Sequence, residues 1–418
     1  MLWDPYGAFQ TQTLPNGLAV HALQMDRPWQ RIGFLVHSGA LQDEVGKEGT
    51  GHFLEHLVTE NIPNNDRSNL QDYFRSHGGG AMLGATNFWY SKYSFYLPLL
   101  DEEIQYGLTI FAKLLMSVTI EKSIETERSV IINEFNKKYP VKFVFDDKLR
   151  THHTLYKGME IERMLCPLGT HQSINAIQKD DLQKYYDAHY TPANISVVGV
   201  GAYSLDKFVE SIKGTDLYGY KHGTRSLYPP IATVPVLETN RTVINMKDIM
   251  LNSEMKNASI ECSAIIPLSI SVQALIIYSA MLSELLSKEI REERGWTYHI
   301  YCNVIEYYQF NKLTIECTSF SVEAIDSIEE IIDSIISSIP LQNSLFHKIR
   351  DGRIKRQFIV DENTSQIFSN SMDEISEYNR VILQKELLEK FTALTFEDIC
   401  AVAPHFTVNN RYTVLVNP

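Results

Sequence analysis

The feature that most constrains the fold of this chain is an internal repeat. The segment "DLQKYYDAHYTPANISVVGVG", which ends at residue 201, is similar to "DICAVAPHFTVNNRYTVLVNP", which ends at residue 418. Aligning residues 189–191 ("HYT") with residues 405–407 ("HFT") gives an offset of 216 residues, about half of the chain. In each segment a short amphipathic stretch leads through a polar turn into a β-rich run, which predicts a helix followed by a strand. We infer that one α/β unit occurs twice; two chance helix-strand endings are the alternative.

A linker between the two copies is predicted from composition. Residues 214–236, "GTDLYGYKHGTRSLYPPIATVPV", are rich in Gly, Pro and Tyr and show no hydrophobic periodicity. The linker separates an N-terminal domain at residues 1–213 from a homologous C-terminal domain at residues 237–418. Both parts are predicted to have the same order of elements, with strands first, then helices and then a returning strand. The strand-like runs are residues 18–25, 31–39, 258–268 and 296–308, and the helical stretches are residues 271–293 and 322–339. This order predicts α+β layers.

Composition narrows the functional classes. The formal net charge is −13 and no block of Lys and Arg is present, which argues against nucleic acid as a partner. No apolar run is long enough to cross a bilayer, so we expect no membrane span. The first residues resemble neither a secretory signal nor a transit peptide, and the five cysteines form no CxxC pair. We therefore expect a cytoplasmic protein without a disulfide framework.

The stretch "GTGHFLEHLVTE", residues 49–60, carries reactive side chains at helical spacing. Positions i, i+3 and i+4 share one face of a helix, so His52, Glu55 and His56 are expected to point the same way. Two imidazoles at i and i+4 can bind one metal ion, and a catalytic zinc site takes three protein ligands and keeps one position for water. A set of solvated side chains on an ordinary helix surface is the alternative.

A second acidic motif offers a third ligand. In "ETERSVIINEF", Glu127 and Glu134 are seven residues apart, which is two helical turns, so their carboxylates face one side of a helix. One carboxylate could bind zinc while the other holds a nearby proton or orients a ligand. Exposed glutamates on a charged helix are again the alternative interpretation.

Several motifs together carry a resemblance to a known family. "GTGHFLEHL" is followed, 78 residues after its second histidine, by the last glutamate of "ERSVIINE". "GALQDEVGKEGTGHFLEH", "GGGAMLGAT", "CPLGTHQSINAIQKDDLQKYYDAHYTPANISVVGVG" and "IREERGWTYHIY" extend the pattern over nearly the whole chain. It resembles the pitrilysin/insulinase superfamily of zinc peptidases with an inverted H-x-x-E-H motif, and most closely the mitochondrial processing peptidase branch with its bacterial relatives. The resemblance implies an α+β fold of two duplicated domains, each a mainly antiparallel β-sheet packed with helices.

The resemblance also implies the roles of the residues around the motif. It assigns one Zn²⁺ ion per chain to His52, His56 and Glu134 as ligands, Glu55 to the general base and Glu127 to an auxiliary carboxylate. The helical spacing of the two motifs is compatible with these roles. Glu55 cannot easily bind the same ion as both neighbouring histidines, but it can accept a proton from water activated there.

Substrate-binding residues are implied in the same way. Arg291 and Tyr298 in "REERGWTY" match an Arg/Tyr pair that contacts substrate in active family members. Gly84, Ala85 and Thr86 match a strand that pairs with the substrate as an added β-strand. The family usually has an Asn at the start of this motif, "N-A-x-T", whereas here one residue is missing. We therefore expect main-chain pairing to persist and side-chain preference to differ.

Together these motifs predict a zinc-dependent endopeptidase that cleaves unfolded peptides, leader peptides or presequences as β-strands in an enclosed chamber. A non-catalytic scaffold or partner subunit of the same fold is one alternative, although such members usually lose the zinc or base residues. A protease dedicated to maturing one precursor by removing its leader peptide is another. The chamber of the family needs four domains and this chain supplies two. We therefore expect a homodimer, or a heterodimer with a related subunit.

Overall fold

The computed structural model of the protein describes residue 4 and residues 6–60, 67–118, 120, 124–139, 142–219, 221–228, 234–246, 257–356 and 363–418. Residues 220 and 229–233 of the predicted linker lie outside the described residues. The domain boundaries at 213 and 237 stay predictions.

The described strands are β1 (Phe9–Thr13), β2 (Ala19–Gln24), β3 (Trp29–Val36), β4 (Gly80–Thr86), β5 (Ser91–Pro98), β6 (Ile195–Gly201), β7 (Arg241–Asn245), β8 (Ala258–Ile266), β9 (His299–Glu306), β10 (Asn311–Phe320) and β11 (Tyr412–Asn417). The described α-helices are α1 (Thr50–Glu60), α2 (Arg67–Ser76), α3 (Asp101–Met116), α4 (Ile124–Lys138), α5 (Lys142–Leu155), α6 (His171–Ala176), α7 (Lys179–His189), α8 (Leu205–Lys213), α9 (Val272–Leu286), α10 (Ile325–Ser338), α11 (Asn343–Arg356), α12 (Thr364–Tyr378), α13 (Gln384–Ala393) and α14 (Phe396–Cys400). No helix of the described residues has the length and apolar character needed to cross a membrane.

The strands form two sheets with the same plan. The first has the order β1-β2-β6-β3-β5-β4, and the second has the order β7-β11-β8-β10-β9. Each sheet contains one parallel pair, β2 with β6 and β7 with β11, while the remaining neighbours are antiparallel. Apart from β1, the strands correspond one to one, so that β4 and β9 occupy equivalent edges. The predicted α+β fold of two duplicated, mainly antiparallel domains is confirmed.

Helices cover each sheet and enclose a separate apolar core. In the first sheet, alternate residues of β5 are buried, so Tyr93, Phe95 and Leu97 face the core that α1 and α3 also line. In the second sheet, β8 and β10 pack against α9 and α10 around a second core. The period-2 alternation of the strands and the 3.6-residue period of the helices bring both apolar faces to the same layer.

A helix from the second half covers part of the opposite face of the first sheet. Gly33 on β3 makes this contact close, because a Cβ atom added there would lie 2.4 Å from the Sδ atom of Met372 on α12. Elsewhere between the halves, the buried Trp89 ring lies 4.9 Å from the Tyr307 ring and 5.5 Å from the Tyr308 ring, measured between centroids. The two halves therefore share apolar contacts in addition to the linker.

Candidate metal centre and peptide-binding edge

Helix α1 presents one apolar and one reactive face. Phe53, Leu54, Leu57 and Val58 are buried in the core of the first half. A residue outside the helix stabilises its start, since the Asp43 carboxylate accepts hydrogen bonds from the backbone N–H groups of residues 49 and 51 at 2.7 and 2.8 Å. Such bonds satisfy donors that have no partner within the helix.

Sequence reasoning missed the role of Asp43. Its carboxylate is buried, and burial raises its pKa to about 8 despite the two backbone donors. An acidic residue shortly before a Gly-x-Gly helix start was the signal available in the sequence. The two hydrogen bonds join the loop after β3 to the start of α1 and thereby orient the reactive face.

The reactive face brings three candidate ligands together. His52 Nε2 lies 3.8 Å and His56 Nε2 lies 3.6 Å from Glu134 Oε2. One ligand atom from each residue falls within 4.8 Å of the others, which is close enough for all three to contact one ion. The two histidines are buried, whereas the Glu134 side chain is 46% exposed, so the cluster opens to solvent on one side.

Helix α4 supplies both glutamates, as their spacing predicted, but the structure separates their contacts. Glu127 is buried, and its Oε2 atom lies 3.0 Å from Nδ1 of His56. That contact leaves His56 Nε2 directed towards Glu134. A carboxylate on the far nitrogen of a ligand histidine fixes the ring orientation and the tautomer. The predicted division between one ligand and one auxiliary carboxylate fits this geometry.

Glu55 lies between the cluster and the edge strand β4. Its Oε2 atom is 3.9 Å from His52 Nε2 and accepts a hydrogen bond from the Thr86 hydroxyl at 3.2 Å. Gly84 makes the close approach of strand and helix possible, because an added Cβ atom would lie 2.0 Å from Glu55 Oε1. Strand and carboxylate are therefore in direct contact, and any larger residue at position 84 must displace one of them.

The predicted peptide-binding strand is the last strand of its sheet. Ala85 pairs with Lys92 and Thr86 with Ser91 on β5, and the register shifts between Met82 and Ala85. β4 has one residue more than β5 between these pairs, as in a β-bulge. The side of β4 that faces away from β5 is the edge on which another strand could pair.

The predicted Arg/Tyr pair lies in the second half. Arg291 belongs to a π-helical turn, Ser287–Glu292, that continues α9, and Tyr298 directly precedes β9. The Arg291 guanidinium carbon lies 4.8 Å from the centroid of the Tyr298 ring. Tyr298 is 69% exposed, so the side chain projects into solvent and does not pack against the first-half cluster.

The donor set of the cluster fits a zinc ion. Burial, reinforced by the neighbouring His56, lowers the pKa of His52 to about 4, which keeps the imidazole neutral at physiological pH. The adjacent His56 imidazole lowers the pKa of the Glu134 carboxyl, which keeps this group ionised. Two imidazoles and one carboxylate form a ligand set that catalytic zinc sites use.

Comparisons with known proteins show similarity to peptidases. The sequence profile of the insulinase family, peptidase family M16, matches residues 23–166, and that of the peptidase M16 inactive domain matches residues 176–352. The chain is 24% identical over 411 residues to the beta subunit of mitochondrial-processing peptidase from Caenorhabditis elegans, covering 93% of the chain and 85% of that subunit. It is 26% identical over 205 residues to the corresponding probable subunit from Arabidopsis thaliana, covering 48% of the chain but only 37% of that relative.

Solved structures share the fold over the whole chain. A protease from Helicobacter pylori superposes with a TM-score of 0.80 at 18% identity and covers 100% of both chains. A periplasmic protease from Escherichia coli superposes with a TM-score of 0.80 at 14% identity and covers 100% of this chain but 48% of the other. The second relative is therefore about twice as long as the present chain.

Proposed function

The chain belongs to the insulinase family of peptidases, peptidase family M16, and from this premise we propose that it is a zinc-dependent endopeptidase. One observation carries the proposal. Ligand atoms of His52, His56 and Glu134 lie within 4.8 Å of one another, and the Glu55 carboxylate stands 3.9 Å from His52 Nε2, beside an open strand edge.

The proposed metal site consists of His52, His56 and Glu134, with Glu127 in the supporting role. A zinc ion bound there would act as a Lewis acid and would lower the pKa of a water molecule bound to it. Glu127 contacts the His56 ring at its Nδ1 atom, which orients Nε2 towards Glu134 and the proposed ion. The open side of the cluster, next to the half-exposed Glu134, leaves access for water and peptide.

Glu55 is the proposed general base. Its carboxylate is buried beside the cluster and is held by the Thr86 hydroxyl, so it can accept a proton from the attacking water and pass it to the leaving amine. We therefore propose two roles for Thr86: its side chain positions Glu55, and its backbone pairs with the substrate.

The proposed substrate is an unfolded peptide, a leader peptide or a presequence. Main-chain groups of Gly84, Ala85 and Thr86 would pair with it as an added strand, and this mode requires an extended segment. The cleaved bond would then pass directly in front of Glu55, because Gly84 touches that carboxylate.

We further propose that a second subunit completes an enclosed chamber. The long Escherichia coli relative, of which this chain matches 48%, has room for two such chains in one polypeptide. In a dimer, the exposed Arg291 and Tyr298 of one copy could reach the zinc site of the other, as an isologous interface permits. A homodimer in the cytoplasm is the leading form, and a heterodimer with a related subunit is the alternative.

A non-catalytic subunit is the second candidate function, because the profile matching residues 176–352 is that of an inactive domain. Metal analysis of the purified protein combined with a peptide-library digest separates the two. A peptidase should hold about one zinc per chain, lose activity with a chelator and recover it when zinc returns. Absence of zinc and of any cleavage would leave the non-catalytic role.

A further inference from the structure

A pocket of about 620 Å³ lies at the start of β4, outside the zinc cluster. It is enclosed by the first sheet, by α2 and by α12 from the second half. Its lining includes Arg31, Arg75, Met82, Ser94, Tyr96 and Phe368. Two arginines and aromatic rings beside a peptide-binding strand make this pocket a candidate for recognising part of the substrate.

Arg31 is a cation for which the described residues provide no anionic partner. Its Nη2 atom donates to the Ser365 hydroxyl at 2.7 Å, and its guanidinium carbon lies 4.5 Å from the centroid of the Tyr96 ring. Its Nε atom is buried without a hydrogen-bond partner, and no carboxylate of the described residues forms an ion pair with it. Burial lowers the pKa of this guanidinium, with a smaller opposite effect from Tyr96.

The same face of the sheet offers a direct contrast. Arg31 pairs with Tyr96 in the register of β3 and β5, and Lys92 pairs with Leu35 on the same side. The Lys92 ammonium lies 3.3 Å from the Asp373 carboxylate of α12, so this cation is compensated from within the chain. Arg75, the other arginine of the pocket, is bound to Asp72 at 2.8 Å and is 72% exposed. Of these three cations, Arg31 is therefore the one that could bind an external anion.

The register connects the pocket with the cleavage site. Gly80 pairs with Tyr96 and Met82 with Ser94, whereas Gly84 touches Glu55. At about 3.3 Å per strand residue, the pocket begins roughly 7–13 Å from Glu55 along β4. Side chains of an added strand alternate between the two faces of the sheet, so only every second substrate residue could point towards Arg31.

We propose that this pocket is a substrate subsite that binds a carboxylate, with Arg31 as its anchor, two to four residues from the scissile bond. The carboxylate comes either from an acidic side chain or from the free C-terminus of the peptide. The proposal rests on the proposed peptidase function, and it adds a preference for substrates with a carboxylate near the scissile bond. The Tyr96 and Phe368 rings line the pocket beside Arg31 and would displace part of the water around the ion pair.

The first test measures cleavage of a peptide series in which one Glu replaces Gln at successive positions around the cut. We expect kcat/KM to rise roughly 10- to 100-fold for Glu at one position two to four residues from the cut, with no gain at its immediate neighbours. Parallel peptides ending near this position, with free or amidated C-termini, distinguish the two sources of carboxylate. A Glu/Gln ratio near one at every position, together with no effect of amidation, would overturn the proposal.

The variants assign the effect to the pocket. Arg31→Gln should reduce the Glu/Gln ratio to about one. Arg241→Gln, the same substitution on β7 of the second sheet, should preserve this ratio. If Arg31→Gln fails to fold, Met82→Glu tests the same point by placing a carboxylate beside the guanidinium. A preference that survives in the folded pocket variants would refute the assignment.

A binding arm keeps this test separate from the peptidase proposal. Zinc-loaded Glu55→Gln protein is titrated calorimetrically with the best Glu peptide and its Gln counterpart, with and without Arg31→Gln. Tighter binding of the Glu peptide that depends on Arg31 supports the subsite even if the parent protein cuts nothing. Equal binding of both peptides, alongside efficient cleavage by the parent, would reject the subsite while leaving the peptidase intact.

Discussion

The two halves of the molecule share one sheet plan, but their equivalent helices α1 and α9 carry different side chains. Helix α1 follows β3 in the first half as α9 follows β8 in the second. Residues of α1 provide the reactive face, whereas the corresponding length of α9 is occupied by buried apolar side chains such as Leu275, Tyr278 and Met281. Within the described residues, the duplicated scaffold thus carries a candidate metal cluster on one copy only, because chemistry depends on particular side chains and not on topology.

The equivalent edge strands show the same division. β4 lies against Glu55 through Gly84, while β9 alternates exposed and half-buried residues and follows the exposed Tyr298. Both edges could pair with another strand, but among the residues that the structure describes only the first lies next to a candidate metal centre. The comparison predicts that matched changes in the two halves have very unequal effects.

The largest effect is expected for zinc binding. His56→Ala leaves two protein ligands, so bound zinc should fall from about one ion per chain to nearly none. His299→Ala, on the exposed edge of β9, is the matched change in the second half and should leave the zinc content unchanged. Metal analysis after extensive dialysis measures both, and a tightly held zinc in the His56 variant would show that the ligands are assigned wrongly.

The next effect concerns proton transfer. Glu55→Gln should keep zinc and fold but lower kcat by roughly 10²–10⁴-fold, because an amide of the same shape cannot accept a proton. Glu284→Gln on α9 is the matched change and should behave like the parent. Activity of the Glu55 variant within a few-fold of the parent would mean that another residue is the base.

A smaller effect is expected where strand and helix touch. Gly84→Ala places a methyl group in the volume of the Glu55 carboxylate, so peptide hydrolysis should fall about 10- to 100-fold through misplacement, with zinc retained. Asn303→Ala on β9 serves as the control. Parental activity in the Gly84 variant would indicate that the strand relaxes without disturbing Glu55.

The last prediction joins the two halves across a dimer. A Glu55→Gln chain mixed with an Arg291→Ala, Tyr298→Phe chain, under conditions that allow exchange, should regain roughly a quarter of parental activity. Half of the dimers are then mixed, and each contains one intact site. No recovery despite demonstrated exchange would mean that each site is built within one chain or that a different partner completes it.

Local sequence was sufficient for much of the site. The helical period predicted the shared face of His52, Glu55 and His56, and two full turns between Glu127 and Glu134 predicted their common side. The helix predicted at 271–293 and the strands predicted at 18–25 and 31–39 are present with shifted ends. Each of these predictions depends on a pattern that repeats every few residues, and such a pattern can be read directly from the sequence.

Contacts between distant segments required the tertiary structure. The split of Glu134 and Glu127 between the two nitrogens of His56 arises where α4 crosses α1, and the need for glycine at position 84 arises where β4 meets the same helix. The proposed carboxylate subsite includes the contact between Arg31 and Ser365, which are 334 residues apart in the sequence. The sequence by itself indicated which residues are candidates for the chemistry and which faces they share. Only the packed structure decided which atoms meet, because a contact distance depends on how whole elements pack and not on spacing along one of them.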